Sequence, residues 1–196
     1  MVRQDRARSS KTKAQFLSIE ALPAEAVAKR AKVSDLTIVP SIGAQADSFW
    51  SNMRDAALFH SGRPVLVMPR RAEGPIGETV VIAWKDSVEA VRAVAAAEPF
   101  LAKAMRIKLV SITETGEDES AAAMAEYLTK AGRRIARALL LAQSRDAGEV
   151  LLEACMGTGH LLVMGAYGRW RWREWVFGGA TEHVLRHTDV PTLMVH

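Results

Sequence analysis

The chain has one cysteine, Cys155, among 196 residues. It can form no internal disulfide and offers no thiolate cluster for zinc, which fits a reducing cytoplasmic setting. No apolar run approaches the ~18 residues that a membrane span requires. The basic start, MVRQDRARSSKTKAQF, has no apolar h-region, so it is no secretory signal; a solvated tail is expected there, with an organelle-targeting peptide as the alternative. No Gly-x-Ser-x-Gly elbow supports a hydrolytic Ser/His/Asp triad. The pair His183 and His187 has Val184 where a zincin needs glutamate, and no third ligand is evident, so no metal is expected. Cys155 has no visible activating neighbour and reads as a buried thiol.

The formal net charge is +4. Arg3, Arg6, Arg8, Lys11 and Lys13 against Asp5 account for all of it, and basic and acidic groups are equal in number over residues 14–196. A nucleic-acid binder needs a sustained basic face, so the surplus reads as a mobile tail over residues 1–16. The segment Arg169-Trp170-Arg171-Trp172-Arg173 alternates cations with aromatics in the manner of single-strand binders. With no basic excess behind it, it reads as a surface loop whose arginines could assist a phosphate, and nucleic acid is not expected as a partner.

What is present is an alternation of strand and helix patterns. ETVVIAW (78–84) is apolar and β-branched and predicts a buried strand. A helix follows to about Ala102, capped by Asp86 or Ser87 and shortened by Pro99. RIKLVSIT (106–113) alternates as a strand, and the next helix closes at Gly132. Residues 133–143 are rich in Ala and Leu, which favour helix. The preceding glycine and the short apolar run favour strand, and strand is predicted. A helix from about Asp146, a strand at 160–165, a helix at 180–188 and a strand at 191–196 complete the pattern. Such an order predicts a five-stranded parallel sheet with helices on both faces.

The first third repeats the end. SDLTIVPS (34–41) parallels GHLLVMGA (159–166), and LFHSGRPVLVMP (58–69) parallels VLRHTDVPTLMVH (184–196). His60 and His187 each stand four residues before a proline that opens a final strand. The organisation expected is a tail at 1–16, a partial domain at 17–70, a linker at 71–78 and a complete domain at 79–196.

These residues resemble the universal stress protein family in its tandem two-domain form, with the first domain truncated. The sequence reads Gly165-x2-Gly168-x9-Gly178, the glycine spacing by which many members bind ATP. The resemblance implies an adenine-nucleotide α-hydrolase-like α/β domain. It also implies a non-catalytic stress-response module that binds ATP or another adenine nucleotide. The alternatives are a nucleotide-free interaction scaffold and, with less support, a slow ATPase. The implied nucleotide site comprises Ala83, Lys85, Met164, Gly165, Gly168, Gly178, Gly179, Ala180 and Thr181. Glycines let backbone approach a phosphate, and a helix start at 178–181 would present free N–H groups. Two positions depart from the pattern. Gly179 stands where relatives place Ser or Thr, and Lys85 stands where they commonly place an acid. A homodimer, or an intrachain pseudo-dimer through the last strands (64–69 and 191–196), is the expected association.

Overall fold

The computed structural model describes residues 2–8, 13–43, 48–72, 74–113, 116–141, 145–156, 160–166 and 179–196. Strands β1 (Val2–Arg8) and β2 (Lys13–Ile19) pair antiparallel as a separate ribbon, with Val2 opposite Ile19 and Arg8 opposite Lys13. This differs from the unstructured tail expected over residues 1–16. That expectation rested on the shortage of side chains able to bury. A ribbon meets backbone hydrogen-bonding demand without a core, and Phe16 and Ile19 remain exposed on it.

The chain continues through α1 (Pro23–Lys32), β3 (Thr37–Pro40), α2 (Ser48–His60), β4 (Val65–Met68) and β5 (Thr79–Trp84). Then come α3 (Val88–Ala96), α4 (Glu98–Leu101), β6 (Arg106–Thr113), α5 (Glu119–Lys130) and β7 (Ile135–Leu141). The last elements are α6 (Ala147–Cys155), β8 (Leu161–Gly165), α7 (Gly179–His187) and β9 (Thr192–Val195). Seven strands form one sheet in the order β3-β4-β9-β8-β5-β6-β7. All neighbours are parallel except β4 and β9. The five-stranded parallel block predicted for 79–196 is present, but the segment before it adds two strands to the same sheet.

Local chemistry sets the element ends. Ser87 accepts the Ala90 N–H and caps α3, while Asp118 and Asp146 cap α5 and α6 in the same way. Pro99 opens α4 as a separate turn, because a proline is tolerated in a first helical turn and not in a helix interior. Gly132, at φ 80°, turns the chain out of α5 toward β7. Along β5, Val80, Ile82 and Trp84 enter a core under α3 and α5, whereas Val81 enters the opposite core with α2, α6 and α7. Both faces are covered, so the strand reads as one apolar run.

The segments 37–41 and 162–166, matched in the sequence, make corresponding backbone bonds. The Thr37 amide donates to the Pro64 carbonyl at 3.1 Å as Leu162 donates to Pro191 at 2.9 Å. Ser41 donates to Met68 at 2.6 Å as Ala166 donates to Val195 at 2.8 Å. Thr37 pairs with Val65 and Pro40 with Met68, just as Leu162 pairs with Thr192 and Gly165 with Val195. The two units meet where β4 pairs with β9: Val65 with Met194, Leu66 with Leu193, Val67 with Thr192. Under the repeat these three pairs map onto themselves by a two-fold rotation centred on Leu66 and Leu193. The docking of 64–69 on 191–196 within the chain, expected from the sequence, is this arrangement. Both last strands therefore have a neighbour on each side, which leaves neither with a free edge through which a second molecule could extend the sheet.

Leu66 and Leu193 form a narrow, non-hydrogen-bonded pair, the kind in which facing side chains approach most closely. They are 4% and 0% exposed and belong to the same core. Replacing either with alanine should cost about 2–5 kcal/mol, the range for a buried leucine. The double variant should cost measurably less than the two single costs added, because the residues touch. Urea unfolding of the three variants checks this.

Candidate functional site

The chain runs from β5 outward through β6 and β7, then returns to place β8 on the other side of β5. Strand order reverses between β5 and β8, and ligands in open α/β sheets bind beyond the carboxyl ends of strands at such a reversal. The predicted site residues Ala83, Lys85, Met164 and Gly165 lie at those two ends. Gly179, Ala180 and Thr181 form the first turn of α7. Gly168, Gly178 and the Arg169–Arg173 stretch lie outside the described residues.

Exposure separates these positions. Lys85 and Asp86 are exposed, Ala83 is half-buried, and Met164 is 5% exposed and packs in the core with α6 and α7. Thr181 is 5% exposed. Gly165 is fixed by packing. A Cβ there would lie 2.6 Å from the Ala90 nitrogen and 2.7 Å from the Glu89 carbonyl carbon. The missing side chain lets the first turn of α3 press on the end of β8. The sequence points to phosphate approach at Gly165; the structure adds that its Cβ direction is occupied by the backbone of α3.

One step on, Ala166 is fully buried, and its carbonyl is 3.0 Å from His196 Nδ1. The His196 ring meets Phe59 of α2 edge-on at 5.1 Å. The end of β9 thus ties the strand end beside the crevice to the first repeat unit.

A polar cluster that sequence reasoning missed closes the β6 side. Trp84 Nε1 donates to Ser120 Oγ at 3.0 Å, and Ser120 donates to Asp118 Oδ1 at 2.6 Å. Ser111 donates to the other carboxylate oxygen, and the Ala121 amide adds a bond at 3.0 Å. Burial pushes the Asp118 carboxyl up, but the Ser111 and Ser120 hydroxyls and the Ala121 and Ser120 amides outweigh it and hold it below its ordinary value. The available signal was Asp118 at a helix start; its partner Ser111 was legible only as part of a strand.

On the α7 side, α6 and α7 begin close together. A Cβ on Gly148 would lie 2.6 Å from His183 Cβ and 2.7 Å from the Ala180 carbonyl oxygen. Asp146 Oδ1 accepts the Gly148 and Glu149 amides at 2.8 and 3.2 Å and is 3.3 Å from His183 Nδ1. Asp146 Oδ2 lies 3.2 Å from the position a Cβ would take on Gly179.

Other candidates are inert or dispersed. Burial pushes the Cys155 thiol up to about 12, against the opposing charge of Lys108, so it stays protonated near neutrality. The His183 and His187 rings lie 4.5 Å apart, and His187 Nδ1 is 3.0 Å from the His183 carbonyl. Among the described residues, no group of three or more His, Cys, Asp or Glu could hold a metal ion, and no helix is long and apolar enough to cross a membrane. A groove of about 1390 Å³ runs from the carboxyl ends of β3 and β4, at Ser41, Gly43 and Arg70, along α6 and α7 to Glu149 and His183. It begins at the end of the first repeat unit that corresponds to the β8 end of the second.

No protein-family model matches the chain, and none of the curated proteins matches it in sequence. Solved structures do match. A universal stress protein from Archaeoglobus fulgidus DSM 4304 is similar with a TM-score of 0.72 and 18% identity, over 88% of this chain and 66% of its own. A candidate universal stress protein from Pseudomonas aeruginosa UCBPP-PA14 gives 0.59 and 14%, over 90% and 69%. A functionally unknown protein from Pseudomonas aeruginosa PAO1 gives 0.58 and 15%, over 90% and 68%. The fold of this chain is thus the universal stress protein fold, and the chain spans 66% of the length of the first of these proteins.

Gly165→Ala should destabilise the protein by about 1–3 kcal/mol, the usual cost of overpacking, since the atoms in the way are backbone. Chemical denaturation measures it. For Asp118 the lowered carboxyl fixes the sign. Its charge contributes stability above the ordinary pKa of about 3.9, and that contribution disappears as pH falls through the lowered value. Asp118→Asn should therefore be less stable than the parent at pH 6, with the gap closing below about pH 4. Denaturation midpoints across pH 2.5–7 check this, and a gap that widens in acid would contradict it.

Proposed function

We propose that this chain is a non-catalytic stress-response module of the universal stress type that binds an adenine nucleotide in the crevice between the ends of β5 and β8. One observation carries the reading. The Gly165-x2-Gly168-x9-Gly178 spacing begins at the end of β8, at the strand-order reversal, and runs to the residue before α7. A glycine set alone is weak evidence; a buried strand before it and a helix after it give it context. The nucleobase and ribose would lie near Ala83 and Lys85, and the phosphates would run toward Gly179–Thr181, where a helix start offers N–H groups and the positive end of its dipole. Lys85 adds a cation at the crevice mouth; it can donate to a phosphate but cannot accept from a ribose hydroxyl.

A second reading is a nucleotide-free interaction scaffold. Its support is Gly179, which brings no hydroxyl where relatives have one, together with a carboxylate next to it. Calorimetry with ATP, ADP, AMP and adenosine, along with assay of nucleotide released on denaturing the purified protein, separates the two. Binding of any adenine compound supports the nucleotide reading, and its absence from both assays supports the scaffold. If the nucleotide reading is right, Gly168→Val should weaken the best ligand by about tenfold or more, since a branched Cβ would enter the phosphate path. Unchanged affinity in a folded variant would remove the glycine set from the site.

A further inference from the structure

The start of α7 is already faced by an anion belonging to the protein. Asp146 reaches across from the cap of α6, and its two oxygens divide the work. Oδ1 is occupied by the amides of Gly148 and Glu149 and by proximity to His183. Oδ2 points toward Gly179, 3.2 Å from its would-be Cβ. The side chain keeps 41% of its surface exposed, so a solvent-borne ligand at the start of α7 would meet its charge. The approach depends on Gly148, since any Cβ there would meet Ala180 and His183.

We propose that Asp146 is a specificity-determining residue of this site. Its carboxylate holds the anion position at the start of α7 and selects against ligands that bring a polyphosphate there, favouring adenosine or its monophosphate over ATP. The inference rests on the adenine-nucleotide reading for the identity of the ligand, but not for the electrostatics. Two like charges near 4 Å repel even when partly solvated, and a carboxylate beside Gly179 offsets part of the attraction that the dipole end of α7 has for a phosphate. The geometry also gives Gly179 a reason. A serine there would place its hydroxyl beside Asp146 Oδ2, which would compete with the ligand for its proton.

The test compares the parent with Asp146→Asn, which keeps a capping side chain and removes the charge. Asp146→Ser, also a capping residue, serves if the asparagine variant does not fold. ATP, adenosine and inorganic tripolyphosphate are titrated by calorimetry. The expected result is that ATP and tripolyphosphate each bind the neutral variant about tenfold more tightly or better, with adenosine affinity unchanged. If tripolyphosphate gains while adenosine binds neither protein, Asp146 is still the charge filter and the adenine reading fails. If neither polyphosphate gains in a folded variant, the inference is overturned, and adenosine binding then judges the adenine reading separately. An equal gain for adenosine also overturns it, because that would be a change of shape and not of charge.

Discussion

Three residue pairs, Val65–Met194, Leu66–Leu193 and Val67–Thr192, join two parallel strand blocks that run in opposite senses. Every element before residue 70 in the seven-stranded sheet is attached to the rest through this seam. Outward-directed amides at 65 and 67 make the ladder, and the two leucines between them fill the narrow pair. Strand β3, bonded to β4 as β8 is bonded to β9, inherits its position from it. So do α1 and α2, which pack with each other and lay Ala57 and Leu58 on the core shared with α7. The seam is symmetric because the repeat is: related strands in related registers can meet self-complementarily about one point, as identical subunits do.

The crevice at the other end of β8 depends on a different constraint, the close approach of helix starts. Gly165 admits α3, and Gly148 admits α7. Both glycines sit where backbone from another element occupies the space of a side chain. The result is a ring of helix N-termini around the strand ends, of which α3, α5 and α6 are capped by their own Ser87, Asp118 and Asp146. At α7, Asp146 Oδ2 lies 3.2 Å from the position a Cβ would take on the opening Gly179.

The alternation of elements was legible because strands buried on both faces read as apolar runs and because capping residues and glycines punctuate the helices. Even residues 133–143, where Ala and Leu favour a helix, resolved as β7 through Gly132 and the short run. The internal repeat was legible from two prolines and two histidines. Contacts between distant positions were not. Nothing in the sequence joins Trp84 to Ser120, or Asp146 to Gly179, since each pair meets only after β5, β6 and β8 align. A ligand and a neighbouring helix both demand a missing Cβ at Gly165, and the close approach of Ala90 is the part of that demand the sequence did not reveal. The ribbon β1–β2 was missed because it satisfies its backbone without the burial on which a composition argument relies.

Strand β3 is one of the two edges of the sheet, β7 being the other. Thr37 and Ser41 spend their amides on β4, so the backbone groups of residues 36, 38 and 40 point away from it. Ile38 is 62% exposed, whereas its repeat counterpart Val163 is fully buried. An exposed, apolar edge is a template on which sheets grow from one molecule to the next. Here the third outward position is a proline, which has no hydrogen to give. An incoming strand would find a ladder with a missing rung next to the loop. On this flank the proline interrupts the continuous backbone bonding through which one sheet would extend into the next.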